Sequence, residues 1–412
     1  MKQKIDLDVQ VKFENLLLNY EQKKLIKLRK EVYELYHIKG LLKNAIARKK
    51  RVSKHFVIKW TKPNLTEEDF LLDKRGWSMG KLRKWDKNTL NRVKQIHGLL
   101  KDDPASFYHG STAISIAWRK LYPQERIPPL RTIGKMLKDL GLTQRPRGRQ
   151  KGASRYLCYP EHTVYEMLGD RVLESDFIGQ KYIYGRTAPI HFIGFSFKRE
   201  PKLRYFKRVK DYTASSFISE CTKFFNIFEK PDCIKLDNAA SNVGSRSGKR
   251  NLSRTMSFLL KNEVIPIFSV PKRPFSQASI EGNNSVFARK FWNTRRFECL
   301  EQIDEQLEWF NKDSLSYCGY SKPKFKKAKK EFEPKVYFLR QVRNLADLDK
   351  GFIEVLNETI ILPSEYIQYF VIAEWDLIRE NLTIFIEQEK ELNLINRTKF
   401  LINEKSKQKN LY

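Results

Sequence analysis

The chain has 412 residues, more than one compact unit normally holds, and its 41% apolar and 13% aromatic content excludes an intrinsically disordered polymer. Its 79 Lys and Arg against 48 Asp and Glu leave a formal charge of +31, so a polyanion is the expected partner, because each phosphate neutralised releases condensed counterions. Five cysteines without a CxxC pair and six scattered histidines exclude a disulfide scaffold and a zinc module.

Residues 1–60 read as a basic helical extension, with Leu16, Leu17, Leu18, Leu25, Leu28, Val32 and Leu35 at helical spacing among Lys and Arg. The start lacks the apolar core of a signal peptide, and no apolar run reaches the roughly 18 residues of a membrane span. A membrane-free, reducing cytoplasm is the expected setting. Between 88 and 142 lie three helical stretches, NTLNRVKQIHGLL, TAISIAWRKLY and PPLRTIGKMLKDLGL. The third opens after Pro128-Pro129, carries Ile133, Met136, Leu137 and Leu140 on one face and stops at Gly141. Its other face shows Arg131, Thr132, Lys135 and Lys138, the pattern of a helix-turn-helix unit whose last helix enters a major groove. The stretch TQRPRGRQKGASR cannot build a core and reads as an extended linker tracking phosphates through Arg145, Arg147 and Arg149.

From Arg171 the pattern turns to strands: RVLESDFI, PIHFIGFSF and LRYFKRVKD, then a helix TASSFISECTKFFNIF and the strand DCIKLD. A short helix near 251–262, the strand VIPIFSV, a helix from about Ser279 to Trp292 and another at CLEQIDEQLEWF complete a mixed α/β block. Beyond the basic joint KPKFKKAKKEF, closely spaced β-branched strands over 335–396 predict a small barrel.

The block's chemistry rests on acids. If Asp176 lies on its first strand and Asp237 ends a strand pairing beside it, two carboxylates meet at the sheet edge, and their repulsion is relieved by protonation or by a hard divalent cation, Mg²⁺ before others. Two such ions clamp the attacking and leaving oxygens of a phosphoryl displacement, a mechanism that wants a third carboxylate. The segment PKRPFSQASIEGNNSVFARKFW supplies Glu281 in the first turn of a helix, with Pro271 and Pro274 holding the approach extended and Ser279 as a cap. Asn284 and Ser285 fall on about the same side as Glu281, and Arg289 lies near enough two turns on to meet a phosphate. Lys290 is paired with it as a DNA contact. Glu174, two residues before Asp176 on the same strand face, is the rival for the first position, and Glu263 for the third. Asn238 reads as a turn cap, and Tyr182 and Tyr184 as hairpin residues and not a nucleophile.

Asp176 in LESDFIG, Asp237 in IKLDNAAS and Glu281 in PKRPFSQASIEGNN resemble the acidic triad of the DDE transposase and retroviral-integrase superfamily. The run Pro271, Pro274, Gln277, Ile280, Glu281 is similar to its Pro-x-x-Pro-x-x-Asn-x-x-Val-Glu signature, and Trp309-Phe310-Asn311 falls where a later helix often ends in an aromatic and Asn. Two departures stand out: Ala239 occupies the place of a customary Gly, and 43 residues separate Asp237 from Glu281, more than is usual, the excess placed in SNVGSRSGKR. The resemblance covers roughly 88–396 and implies a multidomain α+β chain. Its order would be a basic extension (1–60), a helix-turn-helix region (61–142), a basic linker (143–168), a ribonuclease-H-like catalytic core (169–315), a second basic linker (316–334), a small β-barrel (335–396) and a basic tail (397–412).

It further implies a transposase with Asp176, Asp237 and Glu281 as catalytic residues and ligands of two Mg²⁺, Mn²⁺ being the substitute, acting on double-stranded DNA at element ends and at a target. A homo-oligomer on DNA, a prokaryotic nucleoid-associated location and an optional ATPase accessory protein complete the expectation. The alternative is a sequence-specific DNA-binding regulator with an inactive integrase-like core.

Overall fold

The computed structural model describes residues 20–66, 69–70, 85–143, 171–244, 248–322, 331–345, 350–389 and 391–404. Arg145, Arg147 and Arg149 lie outside them, as do Leu16, Leu17 and Leu18. The chain divides into two units, Met1–Asp86 and Lys87–Tyr412.

In the first unit, helices α1 (Tyr20–His37), α2 (Lys43–Lys50) and α3 (Lys54–Trp60) enclose Val32, Leu35, Ile46, Val57, Trp60 and Phe70. Ser53 caps α3 by accepting the Phe56 amide at 3.1 Å. The buried Arg29 gives Nη1–H to the Phe70 carbonyl at 2.8 Å and lies 4.5 Å over the Trp60 ring, so one of the basic side chains is built into the core.

The second unit opens with α4 (Lys87–Asp102), α5 (Ser111–Leu121) and α6 (Leu130–Asp139), packed on Val93, Ile96, Ile114, Trp118, Ile133 and Leu137. Helix α6 starts after Pro129 and ends before Gly141, whose φ of +70° only glycine adopts without strain, as the punctuation predicts. Phe107 and Tyr108, in the link between α4 and α5, fasten this trio to the remainder of the unit. The Tyr108 hydroxyl meets Ser314 at 3.0 Å and accepts from Arg204 at 2.8 Å, and its ring stacks on Tyr317 at 4.2 Å.

A nine-stranded mixed sheet forms the centre. Strands β1 (Val172–Lys181), β2 (Ile190–Phe197) and β3 (Leu203–Val209) run antiparallel, and β4 (Cys233–Leu236) and β5 (Ile265–Phe268) lie parallel to β1 on its other side. Helices α7 (Ala214–Ile227) and α9 (Arg254–Lys261) cover one face, placing Phe217, Phe224, Met256 and Leu259 on Leu173, Ile193 and Phe195. Helices α10 (Ala278–Lys290) and α11 (Leu300–Cys318) cover the other through a cluster of Phe192, Phe206, Phe287, Phe291 and Phe310. Successive side chains of β1 therefore serve opposite layers: Leu173 and Phe177 one, Ile178 and its same-face neighbours Asp176 and Glu174 the other.

The barrel expected over 335–396 is corrected. Strand β6 (Lys335–Gln341) pairs parallel with β5 through Ile267↔Tyr337 and Phe268↔Phe338, and β10 (Phe370–Asp376), β11 (Asn381–Gln388) and β12 (Glu391–Lys399) continue the central sheet outward. Strands β7 (Arg343–Leu345), β8 (Lys350–Val355) and β9 (Glu358–Leu362) make a separate three-stranded sheet, and no barrel closes among the described residues. The cause lies in β6 and β10, apolar on both faces and almost wholly buried, which suits the interior of a large covered sheet.

Candidate active site

Three elements carry the acids: β1 midway along its length, just past its pairing with β4, then the carboxyl end of β4, and the start of α10. Asp176 sits on β1 opposite Gly194 of β2, on the face that α10 covers. Asp237 follows the last residue of β4, where its Oδ1 accepts the Ala239 amide at 3.1 Å and the Asn242 side-chain amide at 2.7 Å. Ala239 has φ −62°, so this turn needs no glycine; it leads into a four-residue helix, α8 (Ala240–Val243). Asn238 donates to the Ser269 carbonyl at 2.6 Å, tying the end of β4 to the end of β5 instead of capping its own turn.

Glu281 is exposed in the first turn of α10. The approach to this helix differs from expectation: Pro274–Gln277 form a 3₁₀ turn, since the fixed φ of proline suits the first position of a helical turn as well as an extended segment. Ser279 is the second residue of the helix, with its hydroxyl 3.3 Å from that of Ser196, and does not cap it.

Two of the acids are perturbed, Asp176 and Glu281. Burial, then the charges of Asp237 and Glu281, push the Asp176 carboxyl up to about 7, against the pull of the Phe177 amide and Asn284. Partial burial and the charge of Glu174 also raise Glu281. Glu174 is otherwise engaged: it is 1% exposed, its Oε1 lies 3.7 Å from the Lys235 ammonium, and its Oε2 accepts the Ile280 amide at 2.9 Å. Its carboxylate thus joins β1, β4 and α10. Glu263 pairs with Lys230 at 3.2 Å between α9 and β5.

At the site, Gly194 lies outside the sequence expectation, and Asn284, expected only on the side of Glu281, has a definite role. Asn284 gives Nδ2–H to Asp176 Oδ2 at 3.1 Å, and its own Oδ1 is buried without a partner. Gly194 leaves the room for this: a Cβ there would lie 3.1 Å from Asn284 Oδ1 and 3.2 Å from both Ile280 Cδ1 and Phe206 Cε1. A glycine inside the apolar strand IHFIGFSF was the available signal, since such a glycine often marks a close approach.

In donor chemistry the site fits a hard divalent cation: the groups are carboxylate and amide oxygens, and the charges of Asp237 and Glu281 raise the proton affinity of Asp176. Among the described residues, however, no three His, Cys, Asp or Glu are gathered closely enough to hold a metal ion.

The expected DNA-contacting residues lie on two helices. Arg131, Lys135 and Lys138 are exposed on α6 and Thr132 is half-buried beside them. Arg289, exposed, and Lys290, half-buried, occupy the last turn of α10, two turns from Glu281. Arg289 donates to the Ser285 carbonyl at 3.2 Å, and burial lowers the Lys290 ammonium, helped by Arg289. Tyr182 and Tyr184 are exposed in the link between β1 and β2. No helix among the described residues is long and apolar enough to cross a membrane.

No family model matches the chain, and no curated protein matches it. The solved structures similar to it include the simian T-cell lymphotropic virus intasome in complex with the PP2A regulatory subunit B56 gamma, at 11% identity and a TM-score of 0.31 over 76% of this chain and 100% of that one.

Proposed function

We propose that the chain is a DNA strand-cleaving and strand-joining enzyme of the DDE transposase and integrase type. One observation carries the reading: Asp176 on β1, held by Asn284 of α10 at 3.1 Å, is pushed up to about 7 by its burial and then by the charges of Asp237 at the end of β4 and Glu281 in the first turn of α10. An antiparallel β1–β3 followed by parallel β4 and β5, with helices on both faces, supports a ribonuclease-H-like core.

In this reading Asp176, Asp237 and Glu281 would hold Mg²⁺, with Mn²⁺ as a substitute, and the bound ions would neutralise charge developing on a phosphodiester. Asn284 holds one Asp176 oxygen at 3.1 Å, which fixes the direction of the other. Asn242 and the Ala239 amide do the same for Asp237. The exposed Arg131, Lys135 and Lys138 of α6 form the surface for element-end DNA, as in a helix-turn-helix, and Arg289 and Lys290 contact the backbone. Joining two ends calls for a homo-oligomer on DNA. A nucleoid setting and an accessory ATPase belong to the same proposal, as does the division of the chain except for its separate barrel, whose strands extend the central sheet.

A second reading, a DNA-binding regulator with an inactive core, is favoured by the open spacing of the carboxylates. Purified protein incubated with labelled element-end duplex, plasmid target and Mg²⁺ separates the two. The enzyme reading expects nicked and joined products that Asp237→Asn and Glu281→Gln abolish. End binding without any product would establish the regulator.

A further inference from the structure

A cleft of about 960 Å³ opens beside the acidic site, between the ends of β4–β6 and the three-stranded sheet. Its walls include Asn238, Lys272, Arg273, Arg340, Arg343 and Glu354. Arg340 is the unusual member. It is 7% exposed, and its guanidinium donates only to backbone carbonyls, those of Glu354 and Leu339 at 2.8 Å and of Ser269 at 3.3 Å. No carboxylate among the described residues lies within ion-pair distance of it; Glu354 is paired with Arg343. Removing a guanidinium from water is costly, and the carbonyl dipoles, the shared charge of Glu354 and the Phe338 ring 5.2 Å away return only part of its lost hydration.

The cleft is also joined to the acids. The Ser269 carbonyl that accepts from Arg340 is the one that accepts from Asn238, the residue after Asp237. A polyanion leaving Asp237 would therefore pass Asn238 directly onto Arg340, with Lys272 and Arg273 exposed at the rim. Arg273 is held there by two bonds to Gln341, at 2.8 and 3.2 Å.

We infer that this cleft is a binding site for the phosphodiester backbone of DNA, with Arg340 as its buried anchor and Lys272 and Arg273 as its rim. The inference rests on the proposed function for its ligand, not for its geometry. The Glu354–Arg343 pair sets a limit on one wall, since its carboxylate repels phosphate and leaves the anion to the Arg340 side.

The test measures binding alone, by anisotropy of a fluorescein-labelled duplex over a salt series, in the full chain carrying Asp237→Asn so that no cleavage intervenes. Each phosphate contact contributes roughly 0.9 to the slope of log affinity against log salt, so Lys272→Gln with Arg273→Gln should reduce the slope by about two and weaken binding about tenfold or more. Lys207→Gln with Lys223→Gln, at the far edge near β3, removes equal charge and should leave the slope unchanged. Arg340→Gln should weaken binding beyond the rim pair, while Arg340→Lys, which keeps the charge, should recover part of it. Rim and control pairs giving the same slope would overturn the inference. If the rim pair lowers the slope while the parent chain never nicks DNA, the cleft stands and the enzyme reading falls. If nicking is found and the rim pair changes nothing, the reverse holds.

Discussion

The buried pair Glu174–Lys235 invites a direct perturbation, because each partner stands two residues before a site acid and the amide it holds, that of Ile280, precedes Glu281. The two are also register partners on β1 and β4 and are 1% and 2% exposed. Lys235→Met removes the cation and leaves a carboxylate in the sheet with the Ile280 amide as its remaining partner. Breaking a buried pair in this way costs about 3–5 kcal/mol, whereas replacing both partners by neutral groups of similar size is close to neutral. Glu174→Gln with Lys235→Met should therefore recover most of the loss, since a Gln oxygen can still accept the Ile280 amide. At about 2–4 °C per kcal/mol, the single variant should melt roughly 10 °C below the parent and the double within a few degrees of it. The same loosening lets α10 move off β1 and β4, so the strand cleavage proposed above should fall in kcat in the single variant and return in the double. Thermal unfolding and steady-state cleavage measure both. Single and double variants equal in stability would refute the idea that this pair staples the three acid-bearing elements.

Two further outcomes come from the site's geometry. In metal-free protein, Asp176 is raised from 3.8 to about 7 by burial and by its acidic neighbours, so the folded state holds its proton more tightly than the unfolded state. The stability this contributes is complete below pH 3.8 and lost as pH rises through 7. Asp176→Asn should accordingly raise the melting temperature above pH 7 and have little effect near pH 4; a fall above pH 7 would contradict this. Gly194→Val would press two methyl groups and a Cβ against Asn284, Ile280 and Phe206, where even the Cβ comes to 3.1–3.2 Å. Overpacking of that kind costs about 1–3 kcal/mol and should lower cleavage more than Gly194→Ala does, as denaturant unfolding and product assays would register.

Much of the α/β block was legible because its signals are local. VLESDFIGQK, IHFIGFSF and LRYFKRV form strands where apolar and β-branched residues recur, and the helix punctuation around Pro129 and Gly141 holds. The C-terminal strands were recognised as strands, but whether they close into a barrel or extend a sheet depends on the edge to which β6 pairs, a non-local choice. Apolarity on both faces of KVYFLRQ and FVIAEWD was the neglected hint. At the site, the places of Asp237 after a strand and Glu281 in a first helical turn follow from local patterns, and that of Asp176 within β1 from its apolar strand pattern. The role of Glu174 could not, because its partners Lys235 and Ile280 lie 61 and 106 residues away in sequence. Arg340 stayed hidden for the same reason: within an apolar strand, nothing marks the arginine that faces a cleft.

The shared acidic site is tested most directly by calorimetric titration of the full chain with Mg²⁺ above pH 7, where Asp176 gives up its proton. Saturable binding in the parent that is lost in Asp176→Asn and Asp237→Asn and weakened in Glu281→Gln is the expected result. Binding that persists unchanged in all three variants, or none in the parent, would contradict it.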